Sequence, residues 1–97
     1  MPKWAKRLIE EVVERDDNSC VLCGRMATDV HHIFPRSRAK KWSKKVWRIE
    51  NMCCLCRMCH VNGQSVSMRA RLLRKMHERY GYDMSWVREF GVIWEPN

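Results

Sequence analysis

The residues that can do chemistry in this chain are sulfur and imidazole, and their spacing is regular. Cys20-Val21-Leu22-Cys23 and Cys56-Arg57-Met58-Cys59 are two Cys-x-x-Cys pairs, the spacing of zinc ligands. Four soft thiolates close a tetrahedron around zinc. With no coordination position left open, such an ion holds shape and does no chemistry. Cys53-Cys54-Leu55-Cys56 has the same spacing, so a second register competes. Between and beside the pairs lie His31, His32, Asn51 and His60, the last directly after Cys59. Imidazole near neutral pH both accepts protons and binds metal ions. Six cysteines in a short chain also fit three disulfides. However, the N-terminus has no apolar signal-peptide core, and the spacing is that of a metal site. The expectation is a soluble protein in a reducing cytoplasm, with no membrane span.

The charge is one-sided. The chain has 97 residues and a formal charge of +8, so it makes one domain at most, with a core that a metal would help to stabilise. From Val30 to His77 the only acid is Glu50, while the same stretch holds Arg36, Arg38, Lys40, Lys41, Lys44, Lys45, Arg48, Arg57, Arg69, Arg71, Arg74 and Lys75. A one-sided positive field points to a polyanion. Nucleic acid is the first reading and an acidic protein the second.

Several elements must position these groups. Trp4, Ala5, Leu8, Ile9, Val12 and Val13 recur at helical spacing and predict an amphipathic helix over Lys3–Arg15. Its stripe is expected to lie against the metal-bound part, and Asp16-Asp17-Asn18-Ser19 should end it. Gly24 follows the second thiol, where a positive φ is often needed. Ala27 to Phe34 reads as a strand closed by Pro35, and Val46 to Cys54 as its hairpin partner. Between them lies a basic loop containing Trp42, which could equally touch a base or pack. Arg57 to Asn62 reads as a short helix stopped by Asn62-Gly63. Ser65 or Ser67 caps a helix running to about Tyr80, with Met68, Leu72, Leu73 and Met76 on its apolar side. Gly81 ends it, and Asp83 caps one last short helix through Trp86, Val87 and Phe90. The tail from Gly91 shows no usable pattern. His77 reads as an ordinary core or surface histidine.

The order thiol pair, His-His, Asn, thiol pair, His resembles the HNH nuclease family, in the subgroup whose ββα-metal core is stapled by a four-cysteine zinc. The resemblance covers roughly residues 18 to 64. It implies an α+β fold with a small ββα-metal (His-Me finger) core. One domain over residues 1–97 would consist of an N-terminal helix (1–17), that core (18–64) and C-terminal helices (65–97). It also favours Cys56 with Cys59 as the second zinc pair, because family members place that pair just before the final histidine. Cys53 and Cys54 are then packed apolar residues.

By the same resemblance, His31 is a ligand of a catalytic divalent cation, His32 the general base, Asn51 the residue bracing the loop around the base, and His60 the second metal ligand. Neighbouring residues on a regular strand face opposite ways, so His31 and His32 need a twisted strand end to share a site. Some members carry a further histidine one helical turn past the last; here Gln64 stands there, a poor ligand. Two protein ligands suit Mg²⁺ or Mn²⁺ more than tightly held zinc. Asp29 would reach the metal through water or, by preference, salt-bridge an arginine.

The implied function is DNA endonuclease, leaving 5′-phosphate and 3′-hydroxyl ends. Arg36, Arg38, Lys40, Lys41, Lys44, Lys45, Arg69, Arg71 and Arg74 are the nucleic-acid contacts. Small free-standing members resemble those encoded by phages beside packaging genes, which implies a terminase partner, a host-cytoplasmic location and a monomer or weak dimer. The competing class is a zinc-containing nucleic-acid-binding module without activity. It accounts for the thiols and the charge but not for the four-residue His/Asn set.

Overall fold

The computed structural model describes residues 1–62 and 65–95. Its elements are α1 (Lys3–Arg15), β1 (Asp29–His32), β2 (Met52–Leu55), α2 (Arg57–Asn62) and α3 (Val66–Tyr80), with 3₁₀ turns at Arg36–Arg38, Ile49–Asn51 and Ser85–Phe90. The architecture is α+β. One antiparallel hairpin pairs Asp29 with Leu55, Val30 with Cys54, His31 with Cys53 and His32 with Met52.

The pleat sends alternate residues to two separate cores. On one face Met52 and Cys54 meet Ala5 and Val12 of α1, with Val46 and Trp47. On the other, Cys53 and Leu55 meet Leu72, Leu73 and Met76 of α3, with Phe34, Trp86 and Val87. Zinc-spaced Cys20 and Cys56 belong to this second core. The α1 stripe lies against the hairpin of the 18–64 core, as expected, though on the face away from the four zinc-spaced cysteines. Helix α3 covers the cysteine side, where the metal-bound part brings apolar residues of its own. Each fully buried Val, Leu or Met contributes about 1.5–3 kcal/mol.

Both strands are shorter than the apolar runs suggested, because flanking N–H groups are used elsewhere. Ala27 N donates to Asn18 O (2.9 Å) and Phe34 N to the Asn51 side chain (2.8 Å), which leaves β1 only Asp29–His32. Val46 N and Trp47 N both donate to Ser43 O, and Asn51 N to Arg48 O. Residues 46–51 are therefore turns, and β2 begins at Met52.

The ends of α1 and α3 are tied together. Asp17 (φ 54°) and Asn18 (φ 51°) take the left-handed conformation that such residues tolerate, and α1 stops. Fully buried Asp16 accepts from Arg15 Nε (2.8 Å), Tyr80 Oη (2.5 Å) and Cys54 N (2.8 Å). Arg15 also donates to Ile49 O (2.7 Å) and Met52 O (2.6 Å), joining α1, β2 and α3. Burial works to raise the Asp16 carboxyl, but these donors outweigh it and hold it below the ordinary 3.8.

Ser65 Oγ caps α3 by accepting from Met68 N (3.2 Å), and Gly81 (φ 68°) ends it. Asp83 Oδ1 accepts from Ser85 N (3.0 Å) at the start of the last 3₁₀ turn. The patternless tail is packed too: Val92 and Trp94 lie against the α3 core, Trp94 edge-on to His77. No helix among the described residues is long and apolar enough to cross a membrane.

Candidate active site

Sulfur atoms of Cys20, Cys23, Cys56 and Cys59 all lie within 4.8 Å of one another, the one such group of possible metal ligands among the described residues. A zinc–sulfur bond of about 2.3 Å sets tetrahedral S···S edges of about 3.8 Å. The Cys23–Cys56 separation is 3.6 Å. Local hydrogen bonds shape both knuckles: Gly24 N donates to Cys20 O and His60 N to Cys56 O, each at 2.9 Å. Gly24 has φ 78°, which its missing Cβ permits.

Electrostatics also fits a cation. Burial works to raise the Cys20 thiol, but N–H groups of Cys56, Cys23 and Leu22 outweigh it and bring it to about 6. Cys59 is pushed up to about 12, first by burial and then by the three neighbouring sulfurs. Ionising all four thiols at this separation would require a positive ion among them. When bound, zinc would supply a crosslink between the loop after α1 and the start of α2. Cys53 and Cys54 sit elsewhere, on opposite faces of β2, and burial raises both thiols. The competing register therefore lacks geometry.

The three histidines meet at one cavity of about 380 Å³, lined also by Val30, Arg36 and Trp47. His31 and His60 have ring centroids 5.0 Å apart. His32 turns to the α1 side, edge-on to Trp47 at 4.5 Å. Nε2 of both His31 and His32 is buried without a hydrogen-bond partner. Burial is the main cause that lowers both to about 4; His60 and Arg69 add to it for His31, Arg36 and His31 for His32. Both rings are therefore neutral at pH 7, with a lone pair free for a proton or a cation.

Asp29 supplies a contact that sequence reasoning missed. Its Oδ2 accepts from His60 Nδ1 at 3.1 Å, besides the weighed arginine contact to Arg57 Nε at 3.4 Å. His60 Nε2 is thus the nitrogen left for a cation, in the carboxylate–histidine arrangement common behind metal ligands. The signal was available: Asp29 and His31 stand two apart on one strand and share a face. The Gln64 position lies outside the described residues.

Asn51 is fully buried and contacts no histidine side chain through its amide. Its Oδ1 accepts from Phe34 N (2.8 Å), while Nδ2 donates to Phe34 O (3.1 Å) and Val46 O (2.9 Å). Its own carbonyl accepts from Ile33 N (2.8 Å). The residue clasps the chain just after His32 to the far end of the basic loop.

Arg36, Arg38, Lys40, Lys41, Lys44 and Lys45 are exposed along that loop. Trp42 packs on Trp4 (6.3 Å) and Trp47 (5.3 Å), with the Lys44 ammonium 4.5 Å from the Trp4 ring. Arg36 lines the histidine cavity. On α3, Arg69 is half-buried beside Phe34, whereas Arg71 and Arg74 are exposed and Arg74 lines a separate cavity under the tail. Glu50, the lone acid of the basic stretch, is taken up by Arg48 at 2.6 Å.

Residues 20–62 match a family model described as HNH endonuclease. No curated protein and no solved structure gives a match to the chain.

Proposed function

We propose that this chain, whose residues 20–62 match a family model described as HNH endonuclease, is a divalent-metal-dependent endonuclease that hydrolyses phosphodiester bonds in DNA. One observation carries the reading: His31, His32 and His60 line one cavity, with two buried imidazole nitrogens left without partners. A purely structural histidine would have its polar atoms satisfied. A zinc module without activity gives no reason for that arrangement.

A bound Mg²⁺ or Mn²⁺ supplies Lewis acidity toward the phosphate and the departing 3′ oxygen. His31 and His60, whose rings face each other across 5.0 Å, are the residues that would hold that cation. Asp29 fixes the His60 tautomer by accepting a hydrogen bond from Nδ1–H. His32, neutral at pH 7, accepts the proton of the attacking water. Asn51 keeps the segment after His32 in place through its three side-chain bonds. The products carry 5′-phosphate and 3′-hydroxyl.

Arg36, Arg38, Lys40, Lys41, Lys44, Lys45, Arg69, Arg71 and Arg74 are proposed to meet backbone phosphates. Affinity then falls steeply with salt and varies little with sequence. The whole of residues 1–97 acts as one nuclease domain, a monomer or weak dimer, with a phage terminase as the partner that directs it.

Supercoiled plasmid incubated with Mg²⁺ or Mn²⁺, with and without EDTA, tests the reading. Metal-dependent nicking or linearisation supports it. Salt-dependent DNA binding with no cleavage under any metal replaces it with the binding-module reading.

A further inference from the structure

Two guanidinium groups converge outside the histidine cluster with no acid to neutralise them. Phe34, two residues after His32, stacks on Phe90 with centroids 4.2 Å apart and planes 8° from parallel. Arg38 Cζ lies 5.9 Å from the Phe34 centroid and 5.7 Å from that of Phe90, at the side of this stack. Arg69 Cζ lies 5.0 Å from the Phe34 centroid. One arginine comes from the basic loop and the other from α3.

The other arginines placed close to acids are paired: Arg15 with Asp16, Arg48 with Glu50, Arg57 with Asp29. Among the described residues, Arg38 and Arg69 have no such pairing, and Arg69 Nε is buried with no hydrogen-bond partner. Burial and the nearby Arg38 both disfavour the Arg69 charge, and the Arg69 charge in turn reaches His31. Like charges held together beside an aromatic stack cost free energy that a bound anion would offset. The aromatic contacts restrict the guanidinium planes, and apart from one long bond from Arg38 Nη2 to Phe90 O (3.4 Å) their N–H edges make no hydrogen bond among the described residues, the geometry that takes two oxygens of one phosphate.

We propose that Arg38 and Arg69 form a two-arginine clamp for one backbone phosphodiester of the DNA strand, on the His31 side of the catalytic cavity. The inference rests on the endonuclease reading and adds to it a positioning role that the exposed lysines do not share. The clamp sets the register of the strand over the metal site, so its loss slows cleavage even when DNA is fully bound.

The test compares Arg38→Gln, Arg69→Gln and their double variant with a control of equal charge loss, Lys3→Gln with Lys6→Gln on the outer face of α1. Arg69→Lys keeps the charge but not the planar fork. Zinc content and thermal melting establish that each variant is folded. Single-turnover cleavage at saturating protein should fall about 10- to 100-fold in the double arginine variant, as misplaced substrates do. It should stay unrestored in Arg69→Lys and unchanged in the control. The slope of log affinity against log salt should lose about one unit per arginine. With no divalent metal added, a short DNA duplex should also shift the Arg69 Nε–H resonance.

If the duplex binds but that resonance stays put and the double variant cleaves like the parent, the clamp is overturned while the nuclease reading stands. If the resonance shifts but the parent cuts nothing, the phosphate site is supported and the nuclease reading fails. Absence of duplex binding overturns both.

Discussion

Replacing Asn51 with alanine removes every side-chain hydrogen bond that joins the two ends of the basic loop. Three buried backbone groups lose their partners: Phe34 N–H, Phe34 C=O and Val46 C=O. Phe34 and Val46 are themselves fully buried, so water does not readily substitute. An unsatisfied buried group costs about 1–3 kcal/mol, the orphaned N–H most. Carbonyls toward the lower end bring the sum to about 3–5 kcal/mol, a large fraction of the roughly 5–15 kcal/mol that stabilises a typical domain. Urea unfolding followed by tryptophan fluorescence, at fixed free zinc, should show the midpoint falling by about 2 M. Asn51→Asp keeps the acceptor for Phe34 N but loses both donations and sets a carboxylate against two carbonyl oxygens. It should be destabilised further as pH rises and the carboxyl ionises. A loss under about 1 kcal/mol in Asn51→Ala would refute the bracing argument. Parent-like stability with lost cleavage would assign Asn51 a chemical role instead.

Serine at Cys20, Cys23, Cys56 or Cys59 should abolish tight zinc and unfold or aggregate the protein, whereas serine at Cys53 or Cys54 should keep zinc; metal analysis of the purified variants decides. His32→Ala should fold, retain structural zinc and still bind Mn²⁺, with cleavage down by on the order of 10² to 10⁴. His31→Ala and His60→Ala should weaken Mn²⁺ binding by calorimetry, and the reverse pattern would exchange the roles of His31 and His32. Asp29→Asn should weaken Mn²⁺ binding about 10- to 100-fold without touching the zinc, because His60 loses its carboxylate partner; equal affinity would make the contact incidental. Asp16 has a folded-state carboxyl held below 3.8, so its contribution to stability is complete above the unfolded value and lost as pH falls through the folded one. Stability of the parent should therefore drop below about pH 4, and less steeply in Tyr80→Phe, which lacks one donor to that carboxylate; identical acid limbs would count against the Asp16 network.

Features set by neighbours along the chain were legible without a structure. The apolar period and the Asp16–Ser19 stop bounded α1 at Lys3–Arg15, and Ser65 or Ser67 with Gly81 bounded α3 near Tyr80, Ser65 being the one that caps. Caps and turns are local hydrogen-bond problems solved within a few residues. The thiol spacing left two registers for the second pair, and the resemblance to the HNH family favoured the one whose sulfurs cluster with Cys20 and Cys23.

Tertiary structure decided whatever depended on distant partners. The strands shrank because the N–H groups of Ala27, Phe34, Val46 and Trp47 found acceptors outside the ladder. Only the hairpin register sends Met52 and Cys54 to α1, and Cys53 and Leu55 to α3. Asp29 reaches His60 across 31 residues of chain because the hairpin and cysteine cluster bring β1 beside α2. Arg69, Arg71 and Arg74 look alike as a sequence, yet only Arg69 meets Phe34, since successive helix positions are rotated by about 100°. A residue's type and local period state what it is able to do; which atoms it meets follows from the packing of elements far apart in the chain.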